Sequence, residues 1–269
     1  MSERARFDGV AQAMLEAARP LARQYFRARL DVDHKADQSP VTIADRSIEQ
    51  AMTAVLRQHL PDHGYFGEEH GSTGIDRRYV WVIDPIDGTK SFVSGVPLFG
   101  TLIALLEHGR PVMGVIDMPV LGECWTAWSD GPVLLGGATC RTSGQTRLDA
   151  CTLFATSPDQ FTPEETLAFE RLSSACRARR FGGDCYSYAL LASGHIDLIL
   201  EAELQPYDYL PLTPIIEAAG GKITDWNGRD LDLSSDGRVL AAATPSLHAA
   251  ALARLRRDSV ALPDKLVSI

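Results

Sequence analysis

The sequence has few cysteines, and their spacing suggests neither disulfides nor a metal knuckle. Its 269 residues include five cysteines, at positions 124, 140, 151, 176 and 185. The number is odd and no two cysteines form a C-x-x-C pair, so neither a disulfide framework nor a zinc site is indicated. This cysteine content fits a reducing compartment, and we expect a cytoplasmic protein.

Long apolar runs and an excess of positive charge are also missing. No stretch approaches the roughly 18 uninterrupted apolar residues of a membrane span, and residues 1–30 lack the apolar core of a secretory signal. Lys and Arg total 26 against 35 Asp and Glu, a net charge of −9. We therefore expect neither nucleic acid nor a membrane surface as a partner. A small anion can still bind where metal ions or backbone amides reverse the field locally.

What the sequence does have is the composition of an ordinary globular protein, with the periodic patterns of helices and strands. Apolar residues recur at steps of three and four over 7–26 and 44–60, which predicts two amphipathic helices, the first bent at Pro20. Asp45 and Glu49 are predicted on the polar face of the second helix. A strand is predicted over 79–83, ending at Asp84 because proline follows.

Short strands over 101–106, 111–117 and 123–127 predict an antiparallel meander. In the later part of the chain strands and helices alternate, beginning with a capping box at residues 162–165. The change of character falls in a stretch rich in Gly, Thr and Ser around 136–144. We therefore predict an N-terminal α+β half over 1–140 and a C-terminal α/β half over 141–269.

Acidic residues cluster where predicted strands end. Glu68 follows a short apolar run, and Asp84 and Asp87 follow the strand over 79–83. Carboxylates at neighbouring strand ends point into one crevice, and such oxygen ligands suit Mg²⁺ or Mn²⁺. Residues 88–91 offer free backbone N–H groups to an anion. Each motif alone is commonly a surface turn, and it is their combination that indicates a site.

Together these motifs resemble those of the inositol-monophosphatase superfamily of metal-dependent phosphatases. The family carries G-E-E, D-P-I-D-G-T and a later Y-D before a helix ending in A-G-G. Here they read Gly67-Glu68-Glu69, Asp84-Pro85-Ile86-Asp87-Gly88-Thr89, Tyr207-Asp208 and Ala219-Gly220-Gly221, with Lys35-x-Asp37 and Ser39-Pro40-Val41-Thr42-x-Ala44-Asp45 upstream. The resemblance spans about residues 7–256.

Three further segments resemble the histidinol-phosphate phosphatase branch of that superfamily. They are Lys90-Ser91 after the D-G-T motif, G-G-D-C-Y over 182–186 and L-x-P-Y-D-Y-L over 204–210. Pro211 departs from the branch, where alanine is commoner, and we expect it in the first turn of a helix, where proline is tolerated.

The resemblance implies a layered αβαβα sandwich with a site for two to three Mg²⁺ ions, Mn²⁺ being possible. It implies that Glu68, Asp84 and the carbonyl of Ile86 hold one ion and that Asp84, Asp87 and Asp208 hold a second. A third, looser ion would lie near Glu68. Further roles implied are the orientation of the attacking water by Thr89 with Asp45, phosphate binding by the amides of Gly88 and Thr89, and substrate recognition by Asp184 and Glu201.

The activity implied is hydrolysis of a small phosphate monoester, L-histidinol phosphate, by a homodimer in histidine biosynthesis. Acidic side chains favour a substrate with an ammonium group. For Asp184 the alternative is that it only caps the helix starting at Cys185. For the whole chain the alternatives are an inositol or broad-specificity sugar-phosphate phosphatase, and a non-catalytic protein that binds cations or docks a partner.

Overall fold

The structure is a computed structural model that describes residues 2–28, 32–34 and 40–256, without the side chains of 32–34 and 40–42. Lys35, Asp37 and Ser39, part of the upstream motif, lie outside the described residues.

The described residues form eight α-helices and fifteen strands. The helices are α1 Glu3–Tyr25, α2 Ile43–His59, α3 Thr89–Val93, α4 Pro163–Ser173, α5 Asp184–Ala192, α6 Pro206–Tyr209, α7 Leu212–Ala218 and α8 Pro245–Leu255. The strands are β1 Val32–His34, β2 Pro40–Thr42, β3 Gly64–Gly67, β4 Gly71–Thr73, β5 Tyr79–Asp87, β6 Gly100–Glu107, β7 Arg110–Met118, β8 Glu123–Trp128, β9 Val133–Leu135, β10 Ala138–Cys140, β11 Thr152–Ala155, β12 Ala178–Phe181, β13 Leu198–Glu201, β14 Lys222–Thr224 and β15 Val239–Ala242.

An eight-stranded sheet forms the first half, in the order β10-β9-β8-β7-β6-β5-β3-β4. The run from β5 to β10 is antiparallel, which confirms the predicted meander, whereas β3 lies parallel to β5. Within β5, Val80 and Val82 face one side of the sheet and Trp81 and Ile83 the other, all almost fully buried. Because successive side chains alternate between faces, this continuous apolar run requires cover on both sides.

Helices and a second sheet supply that cover. α1 and α2 pack on the Trp81 face, while α5 and α7 pack between the first sheet and a five-stranded sheet ordered β12-β11-β13-β15-β14. α4 and α8 cover the outer face of the second sheet. The layers therefore follow the order αβαβα, and the predicted α/β sandwich is confirmed.

The two halves share a core. Val82 of the first sheet and Ile199 of the second belong to one buried cluster, bridged by Leu191 and Ile215 from the helices between them. The first sheet ends at Cys140 and the second begins at Thr152. The division into 1–140 and 141–269 stays a prediction.

The prediction for the polar side of α2 is wrong. Asp45 is 1% exposed and Glu49 is 0% exposed. The apolar period does face the core, through Ile48 and Met52, and Asp45 and Glu49 lie on this same buried side, whereas the opposite side of the helix is exposed to solvent. The helix predicted over 7–26 corresponds to α1, which continues through Pro20 to Tyr25.

Candidate active site

The candidate site lies at the carboxyl ends of two neighbouring parallel strands. β3 runs parallel to β5, so Glu68 and Asp84 lie at the same edge of the sheet. The prediction that the strand stops after Ile83 is wrong, because β5 continues to Asp87. A register shift between Asp84 and Asp87 makes the chain bulge at Pro85, and proline, which cannot donate to the sheet, is tolerated in such a bulge.

The C-terminal half supplies a third carboxylate. Asp208 lies in α6, and its Oδ2 accepts a 2.7 Å hydrogen bond from the N–H of Gln205, the N-cap residue. Pro206 holds the first helical position, where a missing N–H is tolerated. α6 packs against β5, and carboxylate oxygens of Asp84, Asp87 and Asp208 all lie within 4.8 Å of one another. Acids from both halves thus share one potential cation position.

Burial disfavours the ionised form of each of these three acids. Burial, followed by the charges of Glu68 and Asp87, raises the pKa of Asp84 well above its ordinary value. Burial also raises the pKa of Asp87 to about 8 and that of Asp208 to about 6. Asp84 Oδ1 is buried without a hydrogen-bond partner among the described residues. This donor set fits a divalent cation, which supplies the missing positive charge and oxygen ligation.

A cavity of about 490 Å³ joins the three aspartates to most of the other predicted residues. Predicted residues that line it are Glu68, Asp84, Ile86, Asp87, Gly88, Thr89, Asp184, Glu201 and Asp208. Glu68 lines this cavity but does not belong to the cluster of three carboxylates. Asp45, buried at the start of α2, is absent from the described residues that line it.

The turn after Asp87 brings backbone amides to the cavity. Gly88 has φ +89° and precedes α3, a conformation that favours glycine. A Cβ atom at Gly88 would also lie 3.0 Å from the Asp184 carboxylate, so there is no room for a side chain. The hydroxyl of Thr89 donates a 3.2 Å hydrogen bond to the carbonyl of Ile86. Gly88 and Thr89 therefore lie beside the aspartates in a turn closed by Asp184.

Asp184 holds this turn rather than capping a helix. The N-cap of α5 is Gly183, and Asp184 is the first helical residue with φ +44°, so the capping alternative is wrong. Asp184 Oδ2 accepts a 2.7 Å hydrogen bond from the hydroxyl of Ser91, and burial raises the pKa of Asp184. The next amide, of Cys185, donates a 2.6 Å hydrogen bond to Asp87 Oδ2. The start of α5 is thus bonded to both the turn and the aspartates.

Glu201 ends β13 at the same cavity, and one of its carboxylate oxygens has no hydrogen-bond partner within the described residues. Its Oε1 accepts 2.9 Å hydrogen bonds from the N–H and hydroxyl of Thr156, whereas Oε2 is buried without a partner among the described residues. The hydroxyl of Tyr188 is also buried and unpartnered within that part of the chain, and both residues line the cavity. Two unpaired polar groups there can receive a ligand with hydrogen-bond donors.

Sequence reasoning missed Thr156, Tyr188 and the amide of Cys185. Tyr188 follows Asp184 by four residues, so the helical period already places both on one face of α5. Thr156 follows β11, which runs parallel to β13, and only this pairing brings it to Glu201. No sequence signal marks the Cys185 amide, because every residue except proline carries one.

The buried Glu201 carboxyl makes stability depend on pH. Burial raises its pKa from 4.5 to about 8, so the folded state keeps a proton that the unfolded chain has lost. The free energy of unfolding of the metal-free protein is therefore expected to fall as pH rises from about 4.5 to about 8. Glu201→Gln removes this contribution.

Denaturant unfolding at pH 5 and pH 8, with a chelator present, measures the effect. Wild type is expected to lose more stability than Glu201→Gln between these conditions, and the difference isolates Glu201 from the other acids. Parallel pH profiles for the two proteins would contradict the assignment.

Comparisons with known proteins agree with this geometry. A family model described as the Inositol monophosphatase family matches residues 3–261. The chain is 44% identical over 259 residues to "Bifunctional phosphatase IMPL2, chloroplastic" of Arabidopsis thaliana, covering 93% of this chain and 75% of that protein. It is 36% identical over 236 residues to a histidinol-phosphatase of Chlorobaculum parvum, covering 86% and 90%. A solved inositol monophosphatase from Zymomonas mobilis matches with a TM-score of 0.87 at 43% identity, covering 95% of this chain and 99% of that one.

The chain therefore belongs to the inositol monophosphatase family. It is a phosphatase of that family, a phosphoric monoester hydrolase, and the family is metal-dependent. The acidic cluster of this chain is able to bind a metal ion. The superfamily predicted from the motifs is confirmed.

Cellular location and assembly stay predictions. Across the part of the chain that the structure describes, no helix combines the length and apolar character needed to cross a bilayer. The Arabidopsis relative is named chloroplastic, and a cytoplasmic location and a homodimer remain our expectations for this chain.

Proposed function

We propose that this chain is a Mg²⁺-dependent phosphomonoesterase that hydrolyses L-histidinol phosphate to L-histidinol and phosphate. The observation that carries the proposal is the convergence of Asp84, Asp87 and Asp208 beside the turn at Gly88 in one cavity. Buried acids with raised pKa values, next to an anion-binding turn, suit a site where cations and a phosphate group meet.

The proposed ligands are Glu68, Asp84, Asp87, Asp208 and the carbonyl of Ile86, which would hold two to three ions. Mg²⁺ is the expected ion and Mn²⁺ an acceptable substitute, because all these donors are oxygens. When bound, such ions neutralise phosphate charge and lower the pKa of water, which allows hydrolysis without a covalent enzyme intermediate.

The remaining groups position the reactants. Backbone amides of Gly88 and Thr89 are assigned to phosphate oxygens, as at other helix N-termini that follow a glycine. The Thr89 hydroxyl donates to the carbonyl of Ile86, so its lone pairs stay available to accept a hydrogen bond from the attacking water. Asp45, buried in the first turn of α2, is assigned with Thr89 to orienting that water.

The choice of substrate rests on the charge of the cavity beyond the metal cluster. Asp184 and Glu201 are both acidic, and Glu201 Oε2 and the Tyr188 hydroxyl have no partners among the described residues. Histidinol phosphate carries an ammonium group and an imidazole. These groups complement acidic acceptors in the cavity better than the neutral hydroxyls of a polyol phosphate do. The Chlorobaculum relative, named a histidinol-phosphatase, supports this choice.

An inositol or sugar-phosphate phosphatase is the second candidate. The unpaired Glu201 oxygen can also accept a hydrogen bond from a polyol hydroxyl, and the Zymomonas structure is that of an inositol monophosphatase. Turnover of L-histidinol phosphate and inositol 1-phosphate by the same Mg²⁺-loaded preparation decides between them. A higher kcat/KM for the polyol would refute the histidinol assignment.

Glu201→Gln is expected to raise KM about tenfold for histidinol phosphate and less than threefold for a neutral phosphate ester. The loss of one charge-assisted hydrogen bond, worth about 1.5 kcal/mol or more, corresponds to such a change. Steady-state kinetics with both substrates, at a pH above the Glu201 pKa of about 8 so that this carboxyl is ionised, measure it.

The matched control is Glu203→Gln, which removes an exposed carboxylate at the rim of the same cavity. It is expected to change both KM values less than twofold, because solvent screens an exposed charge. Equal KM increases for the two substrates in Glu201→Gln would remove Glu201 from substrate recognition.

A further inference from the structure

We infer that Glu49 is a positioning residue that fixes the segment carrying Glu68 before any ion binds. The inference rests on the proposed role of Glu68 as a metal ligand. Glu49 lies on α2, outside the set of predicted ligands, and its side chain is fully buried. A buried carboxylate needs hydrogen-bond donors, and the donors around Glu49 come from the segment around Glu68.

The bonds of Glu49 enclose the turn between β3 and β4. Gly67 pairs with Gly71, so the turn consists of Glu68, Glu69 and His70. The N–H of Glu69 donates to Glu49 Oε2 and the N–H of His70 to Oε1, each at 2.8 Å. Two of the three backbone amides of this turn therefore bond to one carboxylate.

Two side chains complete the arrangement. His70 Nδ1 lies 2.9 Å from Glu49 Oε1, and the hydroxyl of Tyr65 in β3 donates to the same oxygen. Both Glu49 oxygens thus accept hydrogen bonds, and among their donors are the two backbone amides that follow Glu68.

The lack of space for a side chain at Gly67 supports the inference independently. A Cβ atom at Gly67 would lie 2.6 Å from Glu49 Oε1 and closer still to the Tyr65 hydroxyl. Its φ is outside the positive region, in contrast to that of Gly71, so conformation does not require glycine here. The absence of a side chain instead lets the carboxylate reach the backbone, which gives the first residue of the G-E-E motif a physical reason.

The chemistry of a carboxylate, not only its shape, is required. A carboxylate accepts hydrogen bonds at both of its oxygens, whereas a glutamine amide accepts them at its oxygen and donates them from its NH₂ group. In Glu49→Gln, the NH₂ group would therefore face either the Glu69 N–H or the donors around Oε1. One amide of the turn would lose its partner, and Glu68 would lose its fixed position.

Mn²⁺ titration followed by electron paramagnetic resonance tests the inference without turnover. Glu49→Gln is expected to weaken Mn²⁺ binding about 10- to 100-fold, the usual cost of losing a group that orients a metal ligand. Tyr65→Phe removes a donor to the same carboxylate but keeps both backbone bonds, and is expected to change Mn²⁺ affinity less than threefold. Unchanged affinity in Glu49→Gln, or an equal loss in both variants, would overturn the inference.

Amide hydrogen exchange of the metal-free wild type gives a second test that does not depend on a variant folding. The amides of Glu69 and His70 are expected to exchange slowly without metal, since Glu49 already binds them. Fast exchange that slows only when Mn²⁺ is added would show that the ion, not Glu49, orders the turn.

Glu68→Gln separates this inference from the proposed function. It is expected to weaken Mn²⁺ binding while the Glu69 and His70 amides stay protected. If Glu68→Gln bound Mn²⁺ like wild type, the ligand role of Glu68 would be wrong, although slow exchange would still show that Glu49 fixes the turn.

Discussion

Asp87→Asn is expected to lower kcat by at least about 100-fold while the fold persists. Changes in groups that merely orient metal ligands cost about 10- to 100-fold, and this substitution removes a ligand charge itself. The side chain keeps its shape, and its remaining carbonyl oxygen can still accept the hydrogen bond of the Cys185 amide. Steady-state kinetics at saturating Mg²⁺, with circular dichroism to verify folding, measure the effect.

Asp159→Asn is the matched control for this experiment. Asp159 lines the same cavity but is exposed and lies outside the cluster of three carboxylates, so the same chemical change is expected to alter kcat less than twofold. Near-normal turnover by Asp87→Asn would contradict the assignment of Asp87 to the metal site. An inactive wild type that binds Mg²⁺ would instead favour the non-catalytic alternative.

Removing divalent ions with a chelator is expected to abolish hydrolysis, and adding Mg²⁺ is expected to restore it. Without ions, the cluster of Asp84, Asp87 and Asp208 offers no positive charge to bind the phosphate dianion or to activate water. Mg²⁺ at about 100 times its Kd should also stabilise the fold by about 2.7 kcal/mol, because it binds only the folded state. Phosphate release and thermal unfolding, each with and without Mg²⁺, measure the two effects.

The metal-site variant again provides the control. In Asp87→Asn the increase in melting temperature on adding Mg²⁺ should be much smaller than in wild type. Full activity in chelator, or equal stabilisation of both proteins by Mg²⁺, would contradict a metal-dependent mechanism at these residues.

The sequence predicted the elements whose pattern is local. The helix over 44–60, the antiparallel strands after Asp84 and the capping box at Thr162 all appear in the structure. The motif resemblance also anticipated that Asp208 would join Asp84, which no local pattern implies. That contact depends on α6 packing against β5, a tertiary event that periodicity does not encode.

The predictions that failed concern polar residues whose partners lie far along the chain. The charge of Glu49 predicts a position facing solvent, but its hydrogen-bond donors lie in the turn after β3. Pro85 predicts that the strand over 79–83 ends at Asp84, whereas a bulge carries β5 past Pro85. The sequence leaves a capping role open for Asp184, because its bond to Ser91 joins two segments from different halves.

The position of Asp208 ties ion affinity to the docking of the two halves. Because Asp84 and Asp87 come from β5 and Asp208 from α6, neither half alone offers the complete set of oxygens. Chelation at the proposed metal site would therefore oppose separation of the two halves, so that bound ions would stabilise the interface between them.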